Sequence, residues 1–142
     1  MKKILITGGA GYLGSHIALN ILKKNYKVVV FDSFINSSES VFRNFHKVID
    51  EKILRNNFQI VKGDIRDRKL LMDLFLENKN KEDKIYSVIH CAGLKSVKSS
   101  IIKPEEYWEV NVSGTINLIN AMKSSECEKI IFSSSATVYE PS

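Results

Sequence analysis

The amino-acid sequence predicts a single α/β domain built on a doubly wound parallel sheet. Short apolar runs alternate with longer segments of helical periodicity, and the runs are continuous and rich in valine and isoleucine rather than alternating. A glycine-rich turn follows the first run. Right-handed crossovers between such strands give the order 3-2-1-4-5. With 142 residues and 44% hydrophobic residues, the chain can bury one sizeable core, and we expect one domain over residues 1–142.

Five apolar runs are predicted to be the strands. They are rich in β-branched residues, which fit a pleated surface, and they lack strict alternation. Helices should therefore cover both faces of the sheet. The predicted strands are Ile4–Thr7, Lys27–Asp32, Phe58–Asp64, Tyr86–Gly93 and Lys129–Ser135.

The four connections between these strands are predicted to be helical. Apolar residues recur in each connection at spacings of three or four, which place them on one helix face. Pro104, followed by two glutamates, is well placed to begin the fourth helix. A polar loop is expected over residues 76–84. The predicted apolar stripes are Leu13, Ile17 and Ile21; Val41, Phe45, Val48, Ile49 and Ile53; Leu70, Leu71, Leu74 and Phe75; Val112, Ile116, Ile119 and Met122.

Composition and charge argue against several classes of protein. The net charge is +5, but the 21 basic residues are interspersed with 16 acidic ones, so no nucleic-acid partner is expected. Cys91 and Cys127 stand far apart without clustered histidines, so neither a metal site nor a disulfide framework is expected. No apolar run approaches membrane-spanning length. We therefore expect a soluble, cytoplasmic protein with no membrane partner.

The segment TGGAGYLG, Thr7 to Gly14, carries the first functional signal. It matches G-x-G-x-x-G at Gly9, Gly11 and Gly14, or G-x-x-G-x-x-G with Gly8 as the first glycine. The segment follows a predicted strand and precedes an amphipathic helix, as a dinucleotide-binding turn must. Glycines there let a pyrophosphate approach the backbone, and the free N–H groups at the helix N-terminus hold the anion.

Asp32 carries the second signal, since it ends the second predicted strand. A carboxylate at that place can accept hydrogen bonds from the adenosine ribose hydroxyls of a dinucleotide. No arginine or lysine occurs among residues 33–40 to neutralise a 2′-phosphate, so NAD is favoured over NADP. The alternative is structural: a glycine-rich turn and an aspartate that caps a helix or turn.

Further polar segments follow the other strands. GDI ends the third strand, CAGLK the fourth and SSSATVY the fifth. Taken singly, Asp64 could cap the next helix, Lys95 could be a solvated charge, and the serines could be turn residues. Because the carboxyl ends of parallel strands share one edge, their common location favours a binding site.

These motifs together resemble those of the extended short-chain dehydrogenase/reductases, and most closely the N-terminal half of the UDP-glucose 4-epimerases. The similar segments are TGGAGYLGSH, GDIRD, VIHCAGLKSV, NVSGT and IFSSSATVY, in the order usual for that family. The resemblance spans essentially the whole chain. It implies a Rossmann fold that stops before a sixth strand and a substrate domain.

The resemblance also implies which residues bind NAD. Tyr12 and Leu13 would lie against the pyrophosphate, and Asp64 with Ile65 would border the adenine. Asn111 would face the cofactor, although an asparagine within a helix can also bond a neighbouring loop. Family members often have an aromatic residue at the place of Cys91. The full implied set is Gly8, Gly11, Tyr12, Leu13, Gly14, Asp32, Asn36, Ser37, Asp64, Ile65, Cys91, Ala92, Gly93, Lys95 and Asn111.

The implied reaction interconverts UDP-glucose and UDP-galactose by transient oxidation at C4. Ser135 would be the active-site hydroxyl, and the base would be the tyrosine of a Tyr-x-x-x-Lys pair. No tyrosine of the chain is followed four residues later by lysine, and for Tyr139 the fourth following position would lie beyond Ser142. The sequence is therefore interpreted as the N-terminal, NAD-binding portion of an enzyme, inactive alone. The complete enzyme is expected to bind a UDP-sugar and to form a homodimer.

Two alternatives remain at this stage. Nucleotide-sugar 4,6-dehydratases of the same superfamily typically place an Asp-Glu pair where this chain has Ala136 and Thr137. A non-catalytic NAD-binding sensor would keep the fold and lack the tyrosine and lysine. The three histidines, His16, His46 and His90, are expected to have packing or surface roles.

Overall fold

The computed structural model describes residues 1–77 and 83–134. Over these residues the chain forms a parallel sheet with the strand order β3-β2-β1-β4-β5, which confirms the predicted topology. Part of the predicted polar loop, and Ser135 with all that follows it, lie outside the described residues. The strands are β1 (Lys3–Thr7), β2 (Lys27–Asp32), β3 (Phe58–Lys62), β4 (Ile85–His90) and β5 (Ile130–Phe132).

Helical segments connect the strands. Two of them are not α-helical: residues Glu39–Lys47 form a 3-10 helix, and residues Glu109–Ser113 form a π-helical turn. The α-helices are α1 (Tyr12–Lys23), α2 (Glu51–Asn57), α3 (Arg68–Glu77), α4 (Val97–Ile102), α5 (Pro104–Trp108) and α6 (Gly114–Ser124). Within the two described stretches, no helix has the length and apolar character to cross a bilayer.

The central strands are covered on both faces, as the unbroken apolar runs predict. Each of the residues from Val28 to Phe31 in β2 is at most 1% exposed. Phe31 packs into a cluster with α3 and α6 on one face of the sheet, and Val30 packs into another with α1 and the 3-10 helix on the opposite face. Burial of such side chains stabilises the fold by roughly 1.5–3 kcal/mol each.

The second connection is helical as predicted, but it contains two separate helices. Phe42 and Phe45 are both buried on the 3-10 helix, where residues three apart fall on one face. Asp50 then begins the separate helix α2 by accepting a hydrogen bond from the amide of Lys52 at 2.8 Å. The aspartate therefore divides a segment whose apolar pattern reads as continuous.

A helix of the fourth connection begins at Pro104 as predicted, but the short helix α4 (Val97–Ile102) precedes it, and the buried face is different. The predicted stripe includes Ile116 and Ile119, which are 52% and 43% exposed, whereas Leu118 is fully buried. The π-helical turn inserts an extra residue per turn and so rotates the face that α6 presents to the core.

The strand β5 also departs from the prediction of coverage on both faces. Ile131 and Phe132 are 64% and 58% exposed, because β5 lies at the edge of the sheet beside β4 alone.

Candidate functional site

A cleft opens at the carboxyl ends of the strands, where the chain winds from β1 to β2 on one side and β4 lies on the other. This is the topological switch point, at which open α/β sheets bind their ligands. The structure brings most of the predicted cofactor residues to this cleft: Gly8, Gly11, Asp32, Asn36, Asp64, Ile65, Cys91, Ala92, Gly93 and Lys95.

Backbone hydrogen bonds hold the glycine turn in place. The amide of Gly8 donates to the carbonyl of Phe31 at 2.8 Å, and the amide of Gly11 donates to the carbonyl of Gly8 at 3.1 Å. Gly8 has a φ of +65°, and a Cβ there would lie 2.6 Å from the amide nitrogen of Ala92. A Cβ on Gly14 would lie 2.4 Å from the carbonyl oxygen of Gly8. Only glycine fits at these two positions, because rigid backbone surrounds both.

Gly11 is different, since a Cβ there would meet only the carbonyl oxygen of Gly8, at 3.2 Å. Gly11 lines the cleft and is the N-cap of α1, and no acidic residue occupies the first turn of that helix. A helix N-terminus presents amides without intrahelical partners. The turn therefore presents N–H groups beside the cleft, which suits an anionic ligand.

Tyr12 and Leu13 begin α1 and are 82% and 49% exposed, but neither lines the cleft. The Tyr12 ring lies edge-on to His16, with the ring centroids 4.8 Å apart. Gly14 also stays outside the cleft lining, where it packs against the glycine turn. Contacts of these three residues with a cofactor stay predictions.

Asp32 ends β2 with a carboxylate that is 7% exposed. Its Oδ2 accepts a hydrogen bond from the amide of Ala10 at 2.9 Å, which ties it to the glycine turn. Its Oδ1 accepts from the amide of Phe34 and the hydroxyl of Ser37, each at 2.9 Å. Because a carboxylate has about four acceptor positions, one remains for a further donor such as a ribose hydroxyl. Ser37 thus orients Asp32 without itself lining the cleft.

Asp64 lies in the segment after β3 and pairs with Arg66. Nε and Nη2 of Arg66 donate to the two oxygens of Asp64 at 3.0 and 2.7 Å. These side-chain hydrogen bonds hold the pKa of Asp64 below its usual value, although desolvation opposes them. Arg66 also lies 3.6 Å from Glu109. The helix cap is Asp67, which accepts from the amide of Leu70 at 2.9 Å, so Asp64 does not have the capping role considered from the sequence.

The segment after β4, residues 91–95, forms one wall of the cleft. The amide of Cys91 donates to the carbonyl of Thr7 at 3.0 Å, which fixes the start of the wall against β1. Cys91 is half-buried, and burial raises the pKa of its thiol. Asn111 braces the other end of the wall. Its amide side chain accepts from the backbone N–H of Leu94 at 2.8 Å and donates to the carbonyl of Leu94 at 2.9 Å.

Asn111 therefore takes the second of the two roles considered from the sequence, since both functions of its side chain hold a neighbouring loop. It does not line the cleft, and a direct contact with a cofactor stays a prediction.

His90, the last residue of β4, is 1% exposed behind the cleft wall. Its Nδ1 lies 2.6 Å from Oγ1 of Thr7, and its Nε2 lies 3.0 Å from Oγ1 of Thr115. Burial lowers the pKa of His90 to about 4, so the imidazole is neutral at physiological pH. His90 thus has a packing role with both nitrogens satisfied, as the sequence analysis expects.

Sequence reasoning missed several residues that line the cleft, among them Arg66, Glu106 and Val110. Arg66 could have been found, because it lies within the GDIRD segment. Glu106 and Val110 could not, because they lie in the fourth connection and reach the cleft only through the packing of α5 and the π-helical turn.

Comparisons with known proteins identify the family that the chain is similar to. A UDP-glucose 4-epimerase of Neisseria meningitidis serogroup C is 43% identical over 139 residues, which are 98% of this chain and 38% of that protein. Another, from Yersinia enterocolitica, is 48% identical over 136 residues, with coverage of 96% and 38%. The chain spans about 38% of the length of these curated relatives.

Solved structures give the same result. A UDP-glucose 4-epimerase from Stenotrophomonas maltophila, with bound NAD and formylated UDP-arabinopyranose, superposes with a TM-score of 0.82 at 38% identity, covering 98% of this chain and 38% of that one. The enzyme from Bifidobacterium longum, in complex with NAD+ and UDP, has a TM-score of 0.82 at 40% identity, with coverage of 97% and 38%.

The resemblance to UDP-glucose 4-epimerases is thus confirmed in sequence and in structure. A family model described as GDP-mannose 4,6 dehydratase matches residues 5–140. Since this match covers nearly the entire sequence, the chain belongs to the GDP-mannose 4,6 dehydratase family.

Proposed function

We propose that the chain is the NAD-binding part of a UDP-hexose 4-epimerase that interconverts UDP-glucose and UDP-galactose. The similarity to epimerases with bound NAD supports this proposal, and so does the position of the cleft at the switch point.

One observation carries the cofactor assignment: the glycine turn borders the cleft at Gly8 and Gly11, beside the N-terminus of α1. The uncapped first turn of α1 and the carboxylate of Asp32 lie next to that turn. These groups fit a dinucleotide, whose pyrophosphate needs N–H donors and whose ribose needs an acceptor.

The residues of the chain would hold NAD along the cleft. The first-turn amides of Tyr12 and Leu13 would bind the pyrophosphate, and Asp32 would accept from the adenosine ribose. Asp64 and Ile65 would border the adenine, and the wall from Cys91 to Lys95 would exclude water from the dinucleotide. When bound, NAD would supply a reversible acceptor for the hydride at C4 of the sugar. Ser135 would donate a hydrogen bond to the sugar oxygen.

The proton of the sugar 4-hydroxyl needs a base, and we propose that this base lies in the part of the relatives' length that the chain does not span. Tyr86 and Lys129 do form a hydrogen bond in this structure. They lie where β4 and β5 begin, at the edge of the sheet opposite the cleft. That pair is therefore too far from the cleft to serve as a base for a substrate bound there.

An epimerase is favoured over a dehydratase by Ala136 and Thr137. Dehydration needs an acid to assist the leaving hydroxyl, and these side chains cannot supply one. We further propose that the complete enzyme is a cytoplasmic homodimer, which sedimentation analysis of the full-length protein would test.

Calorimetric titration with NAD and with NADP tests the cofactor assignment. We expect NAD to bind more tightly, because the 2′-phosphate of NADP would meet the buried carboxylate of Asp32. Equal affinity for the two cofactors would contradict the role given to Asp32. No binding of either would overturn the proposed function.

An assay of UDP-galactose conversion tests the reaction. The 142-residue chain should show no measurable epimerisation, since losing a positioned base costs about 10² to 10⁴ in rate and the sugar would also be poorly oriented. A chain extended to the length of the relatives should be active, and Ser135→Ala in that longer chain should slow it. Equal turnover by the short and long chains would show that the base lies within residues 1–142.

A further inference from the structure

A chain of hydrogen bonds runs behind the wall of the cleft through His90. The imidazole lies between Thr7 at the end of β1 and Thr115 in α6, at 2.6 and 3.0 Å. Both threonine hydroxyls have further partners. Thr115 Oγ1 lies 2.7 Å from the carbonyl oxygen of Asn111, and Thr7 Oγ1 lies 3.4 Å from the amide nitrogen of Ala92.

These partners fix the direction of every proton in the chain. The carbonyl of Asn111 can only accept, so the hydroxyl hydrogen of Thr115 points at it. Oγ1 of Thr115 must then accept from His90, which places the imidazole proton on Nε2. Nδ1 is left as an acceptor for the hydroxyl of Thr7, whose oxygen accepts from the amide of Ala92. One tautomer of neutral His90 therefore satisfies every group.

Both ends of this chain reach the wall of the cleft. At one end, Thr7 holds the amides of Cys91 and Ala92, through its backbone carbonyl and its hydroxyl. At the other end, Thr115 holds the backbone of Asn111, whose side chain makes two hydrogen bonds to Leu94. The wall is thus held from both sides by groups that His90 joins.

We propose that His90 is a positioning residue for dinucleotide binding: the relay Thr7–His90–Thr115 sets the wall from Cys91 to Leu94 in the conformation that receives the cofactor. This role rests on the proposed function, because the ligand of the wall is taken to be NAD. His90 touches no ligand in this scheme. It acts through the backbone that its neighbours hold.

The proton positions can be tested without any ligand. Long-range ¹⁵N–¹H NMR on the unmutated chain should show an imidazole of His90 protonated at Nε2 and unprotonated at Nδ1. Slow exchange of the Ala92 and Leu94 amides should accompany it. The opposite tautomer, or an imidazole that exchanges between both, would overturn the relay whether or not the chain binds NAD.

The effect on binding is tested with a matched pair of variants. Thr115→Val keeps the shape of the side chain but removes the acceptor for His90 and the donor to Asn111. It should weaken NAD binding about 5- to 10-fold, the effect of losing roughly one net hydrogen bond. Thr115→Ser restores the hydroxyl and should stay within about twofold of the unmutated chain.

The outcomes separate this proposal from the proposed function. Equal affinity of a folded Thr115→Val variant and the unmutated chain would overturn the positioning role while leaving NAD binding intact. If the unmutated chain fails to bind NAD, the proposed function fails, and the tautomer measurement still decides the relay. If Thr115→Val does not fold, the NMR measurement on the unmutated chain again decides it.

Discussion

The two edges of the sheet hold their polar groups in different ways. At the amino edge, where the strands begin, charges pair with one another: Asp83 lies 2.5 Å from Lys3 and 2.7 Å from Lys27. At the carboxyl edge, where the strands end, the carboxylate of Asp32 is held by two backbone amides and a hydroxyl. His90 at that edge is neutral between two threonines.

This difference separates stabilisation from binding. Hydrogen bonds from Lys27 and Lys3 lower the pKa of Asp83, and a hydrogen bond from Lys129 lowers that of Tyr86, so the charges of the amino edge stabilise one another. Asp32 is oriented by neutral donors and keeps an acceptor position for a ligand. Apart from the ion pair of Asp64 with Arg66, the carboxyl edge therefore retains unused polar capacity at Asp32. A change at Asp32 should alter binding, whereas a change at the amino edge should alter stability.

The largest expected effect comes from Gly11→Val. Gly11 lines the cleft, and a Cβ there would lie 3.2 Å from the carbonyl oxygen of Gly8, a closer contact than usual but one that a small shift can relieve. The valine side chain should occupy space needed by the pyrophosphate, so dinucleotide binding should weaken at least about 100-fold in a folded variant. Calorimetric titration with circular dichroism measures both properties. Tyr86→Phe at the amino edge is the control and should bind as the unmutated chain does. Full affinity in folded Gly11→Val would mean that the turn is purely structural.

A smaller effect on binding is expected from Asp32→Ala. Loss of the ribose acceptor should weaken NAD binding about 10-fold or more and narrow the preference for NAD over NADP. Some stability should also be lost, since the amides of Ala10 and Phe34 lose their acceptor. Calorimetric titration with NAD and with NADP measures both affinities. An unchanged ratio of these affinities would contradict the binding role given to Asp32.

His90 at the carboxyl edge and Asp83 at the amino edge should also respond to acid over different pH ranges. His90 is neutral in the folded chain down to a pKa of about 4, whereas an unfolded histidine binds a proton near pH 6.5. The contribution of neutral His90 to the free energy of unfolding is therefore present above pH 6.5 and is lost as the pH falls towards 4. By pH 5 the free energy of unfolding should have fallen by about 2 kcal/mol. Urea unfolding at pH 7.5 and pH 5 measures this loss.

The His90→Gln variant should lack that part of the pH dependence, and His46→Gln, at an exposed position, should keep it. The same pH dependence in both variants would show that another group is responsible. Asp83, whose pKa is lowered, affects stability in a more acidic range. Its contribution to the free energy of unfolding is present at neutral pH and is lost only as the pH falls below about 3.8.

The smallest effect is expected from Asp83→Asn. It removes the carboxylate between Lys3, which is buried, and Lys27, which is partly exposed. Because Asp83 is 46% exposed, solvent screens these pairs, and the free energy of unfolding should fall by only about 1–2 kcal/mol. NAD affinity should stay within about twofold. An Asp83→Asn variant that kept its stability but lost NAD binding would contradict the stabilising role given to the amino edge.

The sequence is most informative where the determining pattern is local. Strand β2 has the bounds that its apolar run predicts, Lys27–Asp32, and the glycine turn lies between a strand and a helix as its spacing requires. The sequence did not predict the type of helix over residues 39–47 or the exposure of Ile116. Residues 39–47 form a 3-10 helix, and the π-helical turn exposes Ile116, because the burial of Phe42 and Leu118 is decided by the neighbouring elements.

The sequence by itself determined the strand order, the place of the cleft and the residue types along its rim, since crossover handedness and strand periodicity are properties of short segments. Only the tertiary structure decided how those residues are held. Thr7 meets His90 from 83 positions away, and Ala10 meets Asp32 from 22. Such contacts depend on how strands and helices pack, and no periodicity in the sequence records the distance between side chains that distant segments bring together.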